Sequence, residues 1–141
     1  LEEYKEIHDF FRYTIRLRKD NAILRKTTKP AACKLPEISI HNGFPWNGGT
    51  DNNSRLIGIM YAGRDENDIR DDIVFYCMNA YWETLIMQLP ELPMGMQWKV
   101  CVNTFLPYED GKNVEEQTEF YYKKSLKVPP RTVIILTAEE S

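Results

Sequence analysis

Residues 72–79 read Asp-Ile-Val-Phe-Tyr-Cys-Met-Asn, and this run decides the fold. Its β-branched and aromatic side chains favour a β-strand, and a charged, turn-like segment at 65–70 precedes it. Similar short runs, separated by turn residues, occupy positions 55–62, 84–89, 97–103, 120–126 and 131–137. Helical patterns do not alternate with these runs, which argues against a parallel α/β sheet. The sequence therefore predicts a mainly β protein, an antiparallel β-sandwich.

One helix, over residues 1–20, precedes the strands. Its apolar residues follow helical spacing, with acidic residues in the first turns and basic residues in the last. A helix that is apolar over a wide arc needs two packing partners, and the sandwich supplies only one. We therefore expect Phe10 or Phe11 to be partly exposed, and we interpret five residues as interdomain packing positions: Ile7, Phe10, Phe11, Ile15 and Leu17.

Composition limits the classes of partner. The chain of 141 residues is 43% hydrophobic, enough for a core, which argues against disorder. Its net charge is −3 and it has no basic stripe, which argues against a nucleic-acid partner. No apolar run approaches the ~20 residues of a membrane span, so we expect no membrane partner.

The three cysteines, Cys33, Cys77 and Cys101, are far apart and show no metal-binding spacing. We predict that Cys77 and Cys101 are buried, reduced thiols within strands. Unpaired thiols favour a cytoplasmic location, while an extracellular one stays open. The helix starts at the first residue given, so we expect the natural N-terminus to lie in a longer parent chain.

Catalytic signatures are absent from the sequence. Its carboxylate pairs, such as Asp71-Asp72, are chain neighbours, and on a strand neighbours point to opposite faces. They cannot flank one glycosidic bond, so we expect solvated carboxylates. Residues 65–68 (Asp-Glu-Asn-Asp) lack the remaining ligands of a calcium loop and predict a charged turn. His8 and His41 belong to no triad signature. We predict no catalytic residue, no metal and no cofactor.

The aromatic residues leave two interpretations open. Trp46, Tyr81 and Trp82 fall in predicted loops, where aromatic rings either stack on sugars or pack against another domain. Trp98 lies on an alternating strand and is predicted to be in the core.

The order of these landmarks resembles a known family. Residues 10–19 (Phe-Phe-Arg-Tyr-Thr-Ile-Arg-Leu-Arg-Lys) and 22–25 (Ala-Ile-Leu-Arg) resemble the last barrel helix of isoamylase-type glycogen debranching enzymes and pullulanases, in the alpha-amylase superfamily (glycoside hydrolase family 13). Residues 72–83, which end in Asn-Ala-Tyr-Trp-Glu, resemble another motif of that family, and residues 131–136 resemble its closing strand. The resemblance covers nearly the whole chain, although Asp20-Asn21 replaces the usual His-Pro.

The resemblance implies that catalysis resides in another domain of the parent protein. The family's catalytic Asp, Glu and Asp lie on the fourth, fifth and seventh strands of a (β/α)₈ barrel, and no segment of this chain matches those strands. The family reaction is retaining hydrolysis of α-glucosidic bonds, at α-1,6 branch points for debranching enzymes. The chain would then be a non-catalytic C-terminal domain that stabilises the parent's catalytic barrel. The alternative is a carbohydrate-binding module that holds α-glucan on Trp46, Tyr81 and Trp82.

The predicted organisation has three parts. Residues 1–27 are the last barrel helix, residues 28–54 a linker with the first strand at 37–41, and residues 55–141 the sandwich. We expect eight strands in Greek-key order, as in the C-terminal domain of alpha-amylases.

Overall fold

The central strand, β3 (Asp71–Asn79), is apolar on both faces. The computed structural model describes residues 2–48, 55–106, 121 and 123–140 of the protein. Alternate side chains of β3 enter two separate hydrophobic clusters, Ile73, Phe75 and Cys77 on one face and Val74 and Tyr76 on the other. Both faces of this strand therefore need a cover, which explains why its sequence is almost continuously apolar.

β3 is the middle strand of a five-stranded antiparallel sheet. The order across the sheet is β1-β2-β3-β7-β5, and a second sheet pairs β4 with β6. After β3 the chain alternates between the two sheets, so that β7 returns to lie between β3 and β5. The remaining strands are β1 (Ile38–His41), β2 (Leu56–Arg64), β4 (Leu85–Gln88), β5 (Met96–Asn103), β6 (Ser125–Val128) and β7 (Thr132–Glu140).

The main core fills the space between the two sheets. Phe75 of β3 is fully buried there, and its ring centroid lies 5.9 Å from that of Trp98. The Trp98 indole donates a hydrogen bond to the Pro90 carbonyl at 3.1 Å, which satisfies its polar atom inside the core. The small sheet contributes Met87 and Val128 from the opposite side. The predicted core position of Trp98 is confirmed.

The opposite face of the large sheet is covered by the helix α1 (Glu2–Asp20) and a 3-10 turn (Ala22–Leu24). The partly buried residues Phe10, Tyr13 and Leu17 form the inner side of α1 and pack against the sheet. The protein is therefore mainly β, with antiparallel sheets, one long helix and a sandwich-like arrangement, which confirms the predicted class. The Greek-key order, the eight strands and the division at 27 and 54 stay predictions.

Two details of the strands differ from the sequence prediction. A β-bulge at Cys101 shifts the register of β5 between Val100 and Val102. Because a bulge adds one residue to one strand, Val102 lies on the helix side of the sheet and not beside Trp98. The strand predicted at 120–126 is β6, which begins only at Ser125, and Tyr121 forms a single bridge with Trp98.

Gly63 of β2 lies where the segment after α1 crosses the sheet. A Cβ atom at Gly63 would collide with the side chains of Thr28 and Ile23. The absence of a side chain at this position therefore lets the chain pass directly over β2.

We predict that Gly63→Ala lowers the free energy of unfolding by about 1–3 kcal/mol, because the side chains of Thr28 and Ile23 must shift to make room for the added methyl group. Gly43→Ala is the matched control, since its Cβ would meet the Ile86 carbonyl at an ordinary 3.4 Å. Urea denaturation measures both. Equal stability of the two variants would contradict the close approach.

Candidate functional site

The loop after β3 presents an aromatic stack at one end of the sheet. The rings of Tyr81 and Trp82 are stacked, with centroids 4.7 Å apart. The guanidinium carbon of Arg55 lies 4.4 Å from the centroid of the Tyr81 ring, in cation–π contact. Trp82 is 68% exposed, whereas Tyr81 is half-buried. Trp82 therefore offers an aromatic surface to solvent, and Tyr81 and Arg55 support it.

Asn79, the last residue of β3, holds this loop in place. Its buried side-chain oxygen accepts a hydrogen bond from the Tyr81 N–H at 2.9 Å. Its side-chain NH₂ lies within hydrogen-bonding distance of the carbonyls of Glu83, Val128 and Pro129. The sequence names Asn79 only as the first residue of the Asn-Ala-Tyr-Trp-Glu motif, and its anchoring role does not follow from the sequence because Val128 and Pro129 are about 50 positions away along the chain.

Trp46 emerges at the same end of the sheet. β1 and β3 both pair antiparallel with β2, so they run in one direction and end on one side. Trp46 follows β1, is 51% exposed, and has a left-handed backbone with φ of 67°. No ring contact between described residues joins Trp46 to Trp82. The three candidate sugar-binding residues thus share an end of the fold, and of these three rings only Tyr81 and Trp82 contact each other.

His41 anchors the Trp46 loop. The ring centroids of His41 and Trp46 lie 4.8 Å apart, and the Trp46 N–H donates to His41 Nδ1 at 2.7 Å. Because Nδ1 accepts this bond, the proton of the neutral ring is on Nε2, which lies 2.8 Å from Ser39 Oγ. Burial lowers the pKa of His41 below its ordinary value. His41 therefore donates to Ser39 and is in the wrong tautomer to act as its base.

Asp71 and Asp72 are not the solvated pair that the sequence predicts. Asp71 accepts hydrogen bonds from the backbone N–H groups of Ala32 and Cys33 and from Arg64. Asp72 is partly buried on the other face and accepts the Ile23 N–H at 3.2 Å. The expectation is wrong because both carboxylates tie the segment after α1 to the sheet. The predicted opposite orientation of the two residues is confirmed.

The two carboxyls differ in acidity. Burial raises the pKa of Asp72 to about 6, and the nearby charges of Asp65 and Glu139 add to the effect. Burial also acts to raise the pKa of Asp71, but hydrogen bonds from Arg64 and from the Ala32–Cys33 segment hold it below its ordinary value. A raised pKa suits a general acid, but Asp71, the other carboxyl of this chain-neighbour pair, points to the opposite face of the sheet.

The β2–β3 hairpin at 65–70 is a charged turn, as its sequence predicts. Asp65 Oδ1 accepts the Ile69 N–H at 2.8 Å, which closes the turn. Glu66 and Asp68 form ion pairs with cations from the segment after α1 or from β2. Within the described part of the chain, no group of three or more His, Cys, Asp or Glu side chains is placed to hold a metal ion.

The thiols follow the predicted burial. Cys77 and Cys101 are buried in strands, and none of the three cysteines forms a disulfide. Burial raises the pKa of Cys77 to about 12, so its thiol stays protonated and is a poor nucleophile at neutral pH.

The outer side of α1 carries large apolar side chains that the described part of the chain leaves exposed. Tyr4, Ile7, Phe11 and Ile15 are each about half-exposed or more, and Phe11 reaches 61%. The expected exposure of Phe10 or Phe11 is thereby confirmed. Phe10 and Leu17 instead contribute to the contact with the sheet. None of the helices that the structure describes is long and apolar enough to cross a membrane.

A groove of about 510 Å³ lies between α1 and the large sheet. Its floor is formed by Ile59, Tyr61, Tyr76, Met78 and Ile135 of three neighbouring strands. Its helix-side wall consists of Thr14, Ile15, Leu17 and Arg18, with Ile23 and Leu24 of the 3-10 turn at one end. The groove and the outer side of α1 meet at Ile15.

A scan of the chain against protein-family models finds no match, and a search of curated proteins finds none either.

We predict that Asp72→Asn raises the free energy of unfolding at pH 8 and changes it little at pH 4. A raised carboxyl pKa contributes stability below the ordinary value of 3.8, and this contribution is lost as the pH rises through about 6. Asn keeps an acceptor for the Ile23 N–H, so the expected gain is about 1 kcal/mol after solvent screening.

Asp71→Asn is the matched control. The pKa of Asp71 is lowered, so its ionised form stabilises the fold above its ordinary pKa, and the variant should lose stability at pH 8. Denaturation of both variants at pH 4 and pH 8 is the measurement. If Asp72→Asn lost as much stability at pH 8 as Asp71→Asn, the ionised carboxylate of Asp72 would not destabilise the fold, and the prediction would be contradicted.

Proposed function

We propose that the chain is the non-catalytic C-terminal domain of a glycogen- or starch-debranching glycoside hydrolase, and that it stabilises the catalytic barrel of its parent. The observation that carries this proposal is the uncovered apolar side of α1, which continues into the groove beside the sheet. A contiguous apolar surface of this kind marks an interaction site. Burying two of its large side chains contributes roughly 3–6 kcal/mol, enough to hold a domain in place.

The exposed edge of the large sheet supports the same proposal. Ile38 and Ile40 of β1 are 55% and 43% exposed, beside the partly buried Ile57 and Ile59 of β2. The helix covers only part of this face, so a second domain has both helix and sheet to pack against. The proposed partner is the barrel to which α1, within residues 1–27, belongs.

The strand order supports the finer fold within the proposal. The chain alternates between the sheets from β3 to β7, and the alternation inserts β7 between β3 and β5. Such an insertion is what a Greek-key connection produces. The proposed type is therefore the Greek-key sandwich of the alpha-amylase C-terminal domain. The proposed cytoplasmic location is supported by the lack of a disulfide among Cys33, Cys77 and Cys101.

The chemistry of the described carboxylates supports a non-catalytic role. Asp71 and Asp72 point to opposite faces, and Glu66 and Asp68 are held in ion pairs. We therefore propose that the chain alone does not hydrolyse glycogen or pullulan. Reducing-end assays check this, and release that disappears on mutating a carboxylate of this chain would contradict it.

A second candidate function is α-glucan binding. The stack of Trp82 on Tyr81, with Arg55 beside it, favours this candidate because an exposed and rigidly supported ring can stack on a sugar face. Trp46 offers a second ring at the same end of the fold.

We predict that Phe11→Asp in the full-length parent lowers its unfolding temperature by several degrees, because a charge enters the proposed interface with the barrel. Ile86→Asp is the matched control, since Ile86 is also more than half exposed but lies on the small sheet. Calorimetry and debranching activity after mild heating are the measurements. Equal behaviour of the two variants would contradict the stabilising role.

For the second candidate, we predict that glycogen in a native gel retards the chain weakly at most, and that Trp82→Ala abolishes any retardation. A comparison of Trp46→Ala with Trp82→Ala in the same gel shows which of the two rings contributes to retardation. Retardation that survives both substitutions would exclude these rings as the sugar platform.

A further inference from the structure

The loop after β1 is tied to His41 by a hydrogen bond that only a neutral imidazole can form. The backbone N–H of Trp46 donates to His41 Nδ1 at 2.7 Å, and a ring nitrogen accepts a hydrogen bond only while it carries no proton. A proton added to Nδ1 would set two donors against each other at this distance. Protonation of His41 is therefore incompatible with the present position of the Trp46 backbone.

The other ring nitrogen offers no alternative site for the added proton. Nε2 already carries the proton of the neutral ring and lies 2.8 Å from Ser39 Oγ, which accepts it. The His41 side chain is also only 1% exposed, so water does not solvate the ring while the loop is in place. A proton from solvent must therefore go to Nδ1 and break the bond to Trp46.

The Trp46 backbone depends on that bond for its conformation. Its φ of 67° is left-handed, a conformation that a bulky residue keeps only when its surroundings hold it there. The rest of the loop has its own support, since the Asn42 N–H donates to the Asn47 carbonyl at 2.8 Å. Loss of the bond to His41 therefore lets the Trp46 backbone relax without opening the whole loop.

Within the residues that the structure describes, no charge near His41 offsets an added proton. The residues that pack against the ring or beside it are uncharged: Ser39, Trp46, Gly58, Phe75, Cys77 and Met87. The titratable thiol among them stays protonated, because burial raises the pKa of Cys77 to about 12. The Trp46 ring, 4.8 Å away, attracts a cation, but less than burial without an acidic partner disfavours one.

We infer that His41 is a pH-sensitive switch: the neutral imidazole holds the Trp46 backbone in place, and protonation of Nδ1 releases it. Burial lowers the pKa of His41, so the release occurs below the ordinary value of 6.5. Because the unfolded chain takes up this proton at a higher pH than the folded chain, stability falls as the pH drops below 6.5. The switch does not depend on whether the loop contacts a barrel or a glucan.

Nitrogen-15 NMR of the full chain between pH 8 and pH 4 tests the switch, because it observes the imidazole nitrogens and the Trp46 amide in one sample. We expect Nδ1 to be protonated in one step below pH 6.5, and the Trp46 amide signal to shift with the same midpoint. The protection of this amide against hydrogen exchange should fall about tenfold across the step. His8, exposed on α1, is the internal control, since its protonation should leave the Trp46 amide unchanged.

Three variants separate His41 from other titrating groups. His41→Asn supplies an uncharged amide oxygen that accepts the Trp46 N–H, so the pH step at Trp46 should disappear. His8→Asn is the matched control and should keep the step. Asp72→Asn should keep it as well, although the pKa of Asp72, at about 6, falls in the same pH range.

The inference would be overturned by a Trp46 step that persists in His41→Asn or is lost in Asp72→Asn. It would equally be overturned if His41 were protonated while the Trp46 amide did not change, or if the ring stayed neutral at pH 4. The ring and amide titrations of the unsubstituted chain decide between these results even if His41→Asn does not fold.

Discussion

The large sheet is apolar on both faces, and the rest of the structure follows from the need to cover them. Residues 73, 75 and 77 of β3 face the small sheet, while residues 74 and 76 face the helix. Each fully buried side chain of this size contributes roughly 1.5–3 kcal/mol, so leaving either face in water would cost much of a domain's stability. The small sheet covers one face, and α1 with the 3-10 turn covers only part of the other.

Polar side chains at the two ends of β3 hold the covering segments in place. At its start, Asp71 and Asp72 accept N–H groups from the segment after α1, one on each face of the sheet. At its end, Asn79 links the aromatic loop to the turn after β6. These bonds satisfy backbone N–H and C=O groups of the segments that they hold. One strand thus positions both the incompletely covered helix and the exposed Trp82.

The sequence predicts local structure well where one physical signal dominates. The helix at 1–20 is visible in its periodicity, and the strands in their β-branched and aromatic runs. The bulge at Cys101 gives no such signal, because residues 100–102 are all apolar and a short apolar run does not reveal which of its side chains share a face. The strand predicted to begin at residue 120 likewise begins later, at Ser125, as β6.

The candidate sites show the same limit. The exposure of Trp46 and Trp82 follows from their place in loops, and that of Phe11 from the wide apolar arc of the helix. The contact of Arg55 with Tyr81, the bonds from Asn79 to the end of β6, and the use of Asp72 as an anchor for the 3-10 turn depend on contacts between segments far apart in the chain. Local patterns hold no information about such contacts, and so the anchoring roles of Asn79 and Asp72 do not follow from the sequence.

The most direct test of the proposed function is to read the coding sequence immediately upstream of Leu1 in the natural transcript. A sandwich domain with one apolar helix side left uncovered is expected to follow a (β/α)₈ barrel whose fourth, fifth and seventh strands carry Asp, Glu and Asp. A start codon directly before Leu1, or an upstream domain of another architecture, would contradict the account.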